Sequence, residues 1–132
     1  MREPNPILRH VAAIVIVLAL VLATGYLFHI GPSVRSQSAF TSSDILWSTC
    51  GMWFALVGGL VSGRYGFAIA AGALYLGLTC LAAHFLQAHM QVGLLELLLE
   101  NAFGTAVSVV AGMVGACAGV FIRRLNSRRL PA

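Results

Sequence analysis

His29, Cys80, His84, Gln87, His89, Gln91, Glu96 and Glu100 are the residues of this chain whose types could do chemistry. Imidazole nitrogens ligate metals or haem iron. Two carboxylates one helical turn apart could add oxygen ligands or pass protons. Spacing restricts these options. His84 and His89 are separated by about 140° around a helix, so they do not chelate one ion from one face. A two-histidine haem or metal site would need ligands from facing helices, His29 with His84. Both lie at a similar depth, about 27 to 28 Å from the start of their apolar segments at 1.5 Å per residue. The plainer reading is that they are interfacial histidines bonded to water, lipid or a neighbouring helix, and no cofactor or metal is expected.

The remaining candidates have structural readings of equal simplicity. Glu96 and Glu100 in GLLELLLEN suit an interfacial turn or an extension of the last helix, where acidic residues complement an N-terminal dipole. Cys50 and Cys80 fall within apolar segments, where cysteine serves as a small filler more readily than as a disulfide partner. The chain has no phosphate-binding loop, no paired CxxC, no GxSxG elbow and no lysine. Its four acidic residues all lie outside the apolar centres, so a carboxylate-driven antiporter has no obvious carrier. Enzymatic activity is not expected.

The elements that position these residues follow from composition. Of 132 residues, 59% are hydrophobic and 9% charged, and mean hydropathy is +0.90. A soluble domain carries about 25% charged residues, so this chain cannot cover itself with polar surface. Charge-free runs extend over 10–34, 45–63, 65–95 and 101–122. About 20 residues cross a bilayer core, which predicts an all-α, polytopic four-transmembrane-helix bundle with spans near 11–30, 45–63, 66–86 and 102–122. The prolines are expected outside these spans. One domain, 1–132, accounts for the chain.

Arg2, Arg9, Arg64, Arg123, Arg124, Arg128 and Arg129 fall on one side of such a bundle and Arg35 on the other, with Asp44, Glu96 and Glu100. The positive-inside rule then places both termini in the cytoplasm, with the inner membrane as the expected location. The net charge of +4 reflects this topology, and no nucleic-acid partner is expected. The basic start and apolar core of 1–25 also resemble a secretory signal, but the run continues through Tyr26, Leu27 and Phe28 to spanning length, which favours an uncleaved helix.

In lipid, helices associate at small residues and through hydrogen bonds, so small positions mark candidate seams. They are Ser48, Gly51, Ala55, Gly58 and Ser62 in span two. In span four they are Asn101, Gly104, Ser108, Ala111, Gly115 and Ala118, widened by Gly112 and Gly119. In span three, Ala70, Ala73, Gly77, Cys80, His84, Gln87 and Gln91 form one stripe, with Tyr75 and its large neighbours expected to face lipid or bulkier packing. Span one, with Ala12, Ala19 and Ala23, is expected at the periphery. Asp44 before a glycine-rich span ending at Arg64, and Glu100 before one ending at Arg123, hint at a duplicated hairpin.

Length and span count match small four-span families such as fluoride channels, small multidrug exporters and holin-like proteins, but the residues do not follow them. The first span lacks the acidic residue of a multidrug exporter. GGLVSGRY, at the end of span two, has no polar and aromatic track after it. The expected function is a non-enzymatic helper or subunit that packs in the bilayer against a membrane-protein partner or as a homo-oligomer. The alternatives are an oligomeric small-solute channel with Cys80, His84, Gln87 and Gln91 as its polar entrance, and a histidine-ligated haem or metal protein.

Overall fold

The computed structural model describes residues 5–28, 34, 41–90 and 93–129. Five helices occur among them: α1 (Pro6–Phe28), α2 (Ser42–Ser62), α3 (Gly66–Met90), α4 (Leu94–Glu100) and α5 (Ala102–Arg129). All but α4 are long and apolar enough to cross a membrane, so the chain is a multi-pass integral membrane protein of the all-α class.

Local chemistry sets the boundaries. Pro6 is the first residue of α1 rather than lying outside it, because a first-turn proline forfeits no intrahelical hydrogen bond, and Asn5 Oδ1 accepts from Ile7 N–H at 3.0 Å. Thr41 precedes α2 in an extended conformation, and its N–H and hydroxyl both donate to Asp44 at 2.8 Å. Gly63 ends α2 at φ 68°, a left-handed conformation that favours glycine, and its N–H donates to Gly59 O at 2.8 Å. A tight turn through Arg64 and Tyr65 reverses the chain into α3. The acidic segment GLLELLLEN is not a continuation of the last spanning helix. It forms α4, separated from α5 by Asn101, whose amide donates to Leu97 O at 2.7 Å.

α2 and α5 run parallel, from the end bearing Asp44 and Glu100 toward the end bearing Arg64 and Arg123, while α1 and α3 run the opposite way. α1 and α3 begin at Pro6 and Gly66, α2 and α5 at Ser42 and Ala102. Each pair is offset by 60 residues, the separation of the hydrogen-bonded Ser48 and Ser108. The α2–α5 contact obeys the same offset. Gly59 lies against Ala116 O, and Gly119 lies against Leu56 O. Such reciprocity is what a two-fold axis along the bundle, between α2 and α5, produces. The duplicated hairpin thus has a geometric counterpart.

The core gathers Ala13, Val17 and Val21 from α1, Trp47 and Ala55 from α2, Phe67, Ala68, Ala71 and Tyr75 from α3, and Ala116 from α5. A second cluster joins Val34, Ala83 and Leu97, fastening α4 to α3. α1 rests on α2, touches α3 marginally and has no contact with α5 among the described residues. Its inner face is Ala13, Val17 and Val21, while Ala19 and Ala23 are exposed and Ala12 is half-buried. Val17 fits against Gly58, so shape complementarity rather than small size alone selects the face.

Candidate functional site

The α2–α5 seam is built by backbone approach. Gly115 lies against Met52 O, Gly119 against Leu56 O and Gly59 against Ala116 O, each so close that a β-carbon has no room. These are the Cα–H to carbonyl contacts that small residues permit between helices in lipid. Ser48, Gly51, Ala55, Gly58, Ser62, Ser108 and Gly115 are all buried. The hydroxyls of Ser48 and Ser108 bond at 2.9 Å across the seam. Polar pairs between membrane helices contribute about 0.6 kcal/mol on average. Ser108→Ala is therefore expected to lower stability by about 0.5–1 kcal/mol in denaturant titration, without altering the helix content.

α3 faces the bundle with a different surface from the one small residues mark. Phe67, Ala68, Ala71, Gly72, Tyr75, Thr79 and Ala83 are buried. Ala73 and Gly77 are exposed, and a β-carbon at Gly77 would meet nothing within 4 Å. Gly104 of α5 is likewise open. Gly77 and Gly104 therefore do not belong to the internal seams. Of the two expected settings for Tyr75, lipid or bulkier packing, the structure shows the second, and it is one of the largest fully buried side chains. Its ring edge meets Trp47 at 6.3 Å, it fills the space over Gly51 and Gly112, and its hydroxyl donates to Gly51 O at 2.8 Å. A stripe of small residues on one helix cannot reveal this. The glycines opposite the ring, on two other helices, are the signal that could have done so.

The polar candidates lie on the outward side of α3. His84 is exposed, Cys80 and Gln87 are half-buried, and Gln87 Nε2 donates to His84 Nδ1 at 3.1 Å. His89 is exposed and donates from Nδ1 to Phe85 O at 3.2 Å. It does not join the His84–Gln87 pair. Gln91 and His29 lie outside the described residues, so the pairing of His29 with His84 is not placed. Among the described residues no group of three or more His, Cys, Asp or Glu is arranged to hold a metal ion. Cys50, Cys80 and Cys117 are free thiols. Glu100 buries its Oε2 with no hydrogen-bond partner among the described residues.

At the opposite end, cations close the C-terminus of α2. Arg123 Nη1 donates to Leu60 O at 2.8 Å and Val61 O at 2.7 Å, and Arg9 Nε donates to Val61 O at 3.4 Å. Positive charge on these last carbonyls satisfies both their lone pairs and the helix dipole. His10 Nδ1 and Ser62 Oγ share a hydrogen bond at 3.0 Å, and the His10 ring meets Phe67 edge-on at 5.4 Å. This cluster ties α1, α2, α3 and α5 together at one level. Reading the sequence by span leaves it unseen, because its members come from four separate span ends.

Comparison with family models, with curated proteins and with solved structures returns no match.

Proposed function

We propose that this chain is a non-enzymatic helper or subunit of the bacterial cytoplasmic membrane, with both termini cytoplasmic, that associates through α3 with a membrane partner or a second copy. The supporting observation is the exposed Ala73 and Gly77 on a helix whose other face is already filled by Phe67, Ala71 and Tyr75. A smooth surface facing lipid gives a single chain no packing, whereas it lets another helix approach closely. The arginine-rich end supports the orientation through the positive-inside rule.

Gly77→Leu separates this reading from a purely internal role for the helix. A β-carbon at Gly77 meets nothing within 4 Å, so stability is expected to hold or to rise by about 0.5–1 kcal/mol through helix propensity. Complex size in mild detergent is expected to fall to that of the lone chain. Unchanged complex size, or a parent chain that is already alone, contradicts the association.

A second reading is favoured by the His84–Gln87 pair on the same outward side of α3. Copies meeting there would set Cys80, His84, Gln87 and Gln91 around a polar entrance for a small solute. Flux into liposomes containing the chain alone, lost in His84→Ala, distinguishes an oligomeric channel from a helper.

A further inference from the structure

The end of the molecule where α1 and α3 begin and α2 and α5 finish carries Arg9, Arg64, Arg123, Arg124 and Arg128. Two of these are engaged by backbone: Arg9 on Val61 O, and Arg123 on Leu60 O and Val61 O. Arg64, Arg124 and Arg128 are exposed and have no ion pair among the described residues. Asp44, Glu96 and Glu100 lie at the other end, and Glu3 is outside the described residues.

Arg124 is held in a particular way. Its guanidinium carbon lies 4.6 Å from the centre of the Tyr65 ring. Stacking occupies a face of the cation and leaves its in-plane N–H groups free for a planar acceptor. Arg64 immediately precedes Tyr65 in the α2–α3 turn, and Arg128 lies one helical turn beyond Arg124. Gly66, which follows Tyr65, would meet nothing within 4 Å if it carried a β-carbon, so the space over this helix start is open.

Apolar surface adjoins the cations. Ile69, one turn along α3 from Tyr65, and Phe121, nearly one turn back along α5 from Arg124, are both exposed. Cationic forks at the ends of spanning helices, with uncovered apolar side chains one turn further into the bilayer, suit a molecule with an anionic head and apolar tails. We propose that Arg64, Arg124 and Arg128, organised on Tyr65, bind the headgroup phosphate of an anionic phospholipid whose chains lie against Ile69 and Phe121.

The test uses the full chain in mild detergent at low ionic strength, titrated separately with phosphatidylglycerol, phosphatidylcholine and inorganic phosphate while the unfolding midpoint is followed. Phosphatidylglycerol is expected to raise the midpoint beyond any rise from phosphatidylcholine, and inorganic phosphate is expected to leave it unchanged. In R64Q/R124Q the phosphatidylglycerol affinity is expected to fall on the order of tenfold or more, with the phosphatidylcholine response retained. R64K/R124K keeps the charge without the planar fork and is expected to fall between the two. This second variant also provides the comparison if the glutamine variant fails to fold. Equal responses to the two lipids overturn the proposal, as does a lysine variant that binds like the parent together with a glutamine variant that does so. A response to inorganic phosphate matching that to phosphatidylglycerol overturns the assignment to lipid.

Discussion

Gly115→Leu is expected to abolish the folded bundle, whereas Gly104→Leu, eleven residues earlier on the same helix, is expected to be tolerated. Gly115 rests on the Met52 carbonyl, a backbone group that cannot rotate aside. Any side chain there must push α2 and α5 apart. That also loosens Gly119 on Leu56 and Gly59 on Ala116, together with the Ser48–Ser108 hydrogen bond. Overpacking a core commonly costs about 1–3 kcal/mol, and here relief requires separating two backbones along most of their length, so the loss is expected above that range. Gly115→Ala should already be damaging. Gly104 has open space, and replacing glycine inside a helix gains about 0.5–1 kcal/mol of backbone propensity. Folded yield and unfolding midpoint in detergent check the contrast. Equal tolerance at both positions would remove the seam from the account.

Tyr75→Ala carries the second large effect. The side chain is 1% exposed and bridges three helices: its ring lies over Gly51 of α2 and Gly112 of α5, and its hydroxyl donates to Gly51 O. Removing an aromatic side chain from a packed core costs about 3–5 kcal/mol, because the cavity only partly collapses. Tyr75→Phe keeps the ring and loses one hydrogen bond, an expected cost of about 1–2 kcal/mol because Gly51 O remains buried. The position related to Tyr75 by the 60-residue offset is Val15, which is 58% exposed, and α1 makes no contact with α5 among the described residues. Tyr75 is thus where the near-symmetry of the two hairpins breaks. A Tyr75→Phe variant as unstable as Tyr75→Ala would show that the hydroxyl, not the ring, fastens α3. Chemical denaturation of both variants decides this.

The number of spans and the parallel setting of α2 and α5 were legible in the sequence, for physical reasons. Charge exclusion from the hydrocarbon core marks each span. Ser48, Gly51, Ala55 and Gly58 recur at helical spacing and are buried, Gly51 beneath the Tyr75 ring and Gly58 against Phe67 and Val17, while the backbones of α2 and α5 meet at Gly59, Gly115 and Gly119. α3 was misread because small residues are as useful on an outward face as on an inward one, so Ala73, Gly77 and Cys80 carry no sign of direction. What turns α3 inward is the fit of one large ring over two distant glycines, a pairing between helices that periodicity along one helix does not contain. The same limit applied to the cations. Arg123 read as a topology signal, yet it also closes the C-terminus of α2, and only the shared level of four span ends brings Arg9, His10, Ser62, Phe67 and Arg123 together.

The outward face of α3 bears the functional reading, and cysteine cross-linking in native membranes addresses it most directly. In a chain with Cys50, Cys80 and Cys117 replaced, a single cysteine at position 77 is compared with one at position 22, an equally lipid-facing site on α1 where Leu22 is 60% exposed. Oxidation is predicted to join position 77 to a second copy or to one defined membrane partner while leaving position 22 unlinked. Failure to cross-link at position 77, or equal cross-linking at both, would contradict association through α3.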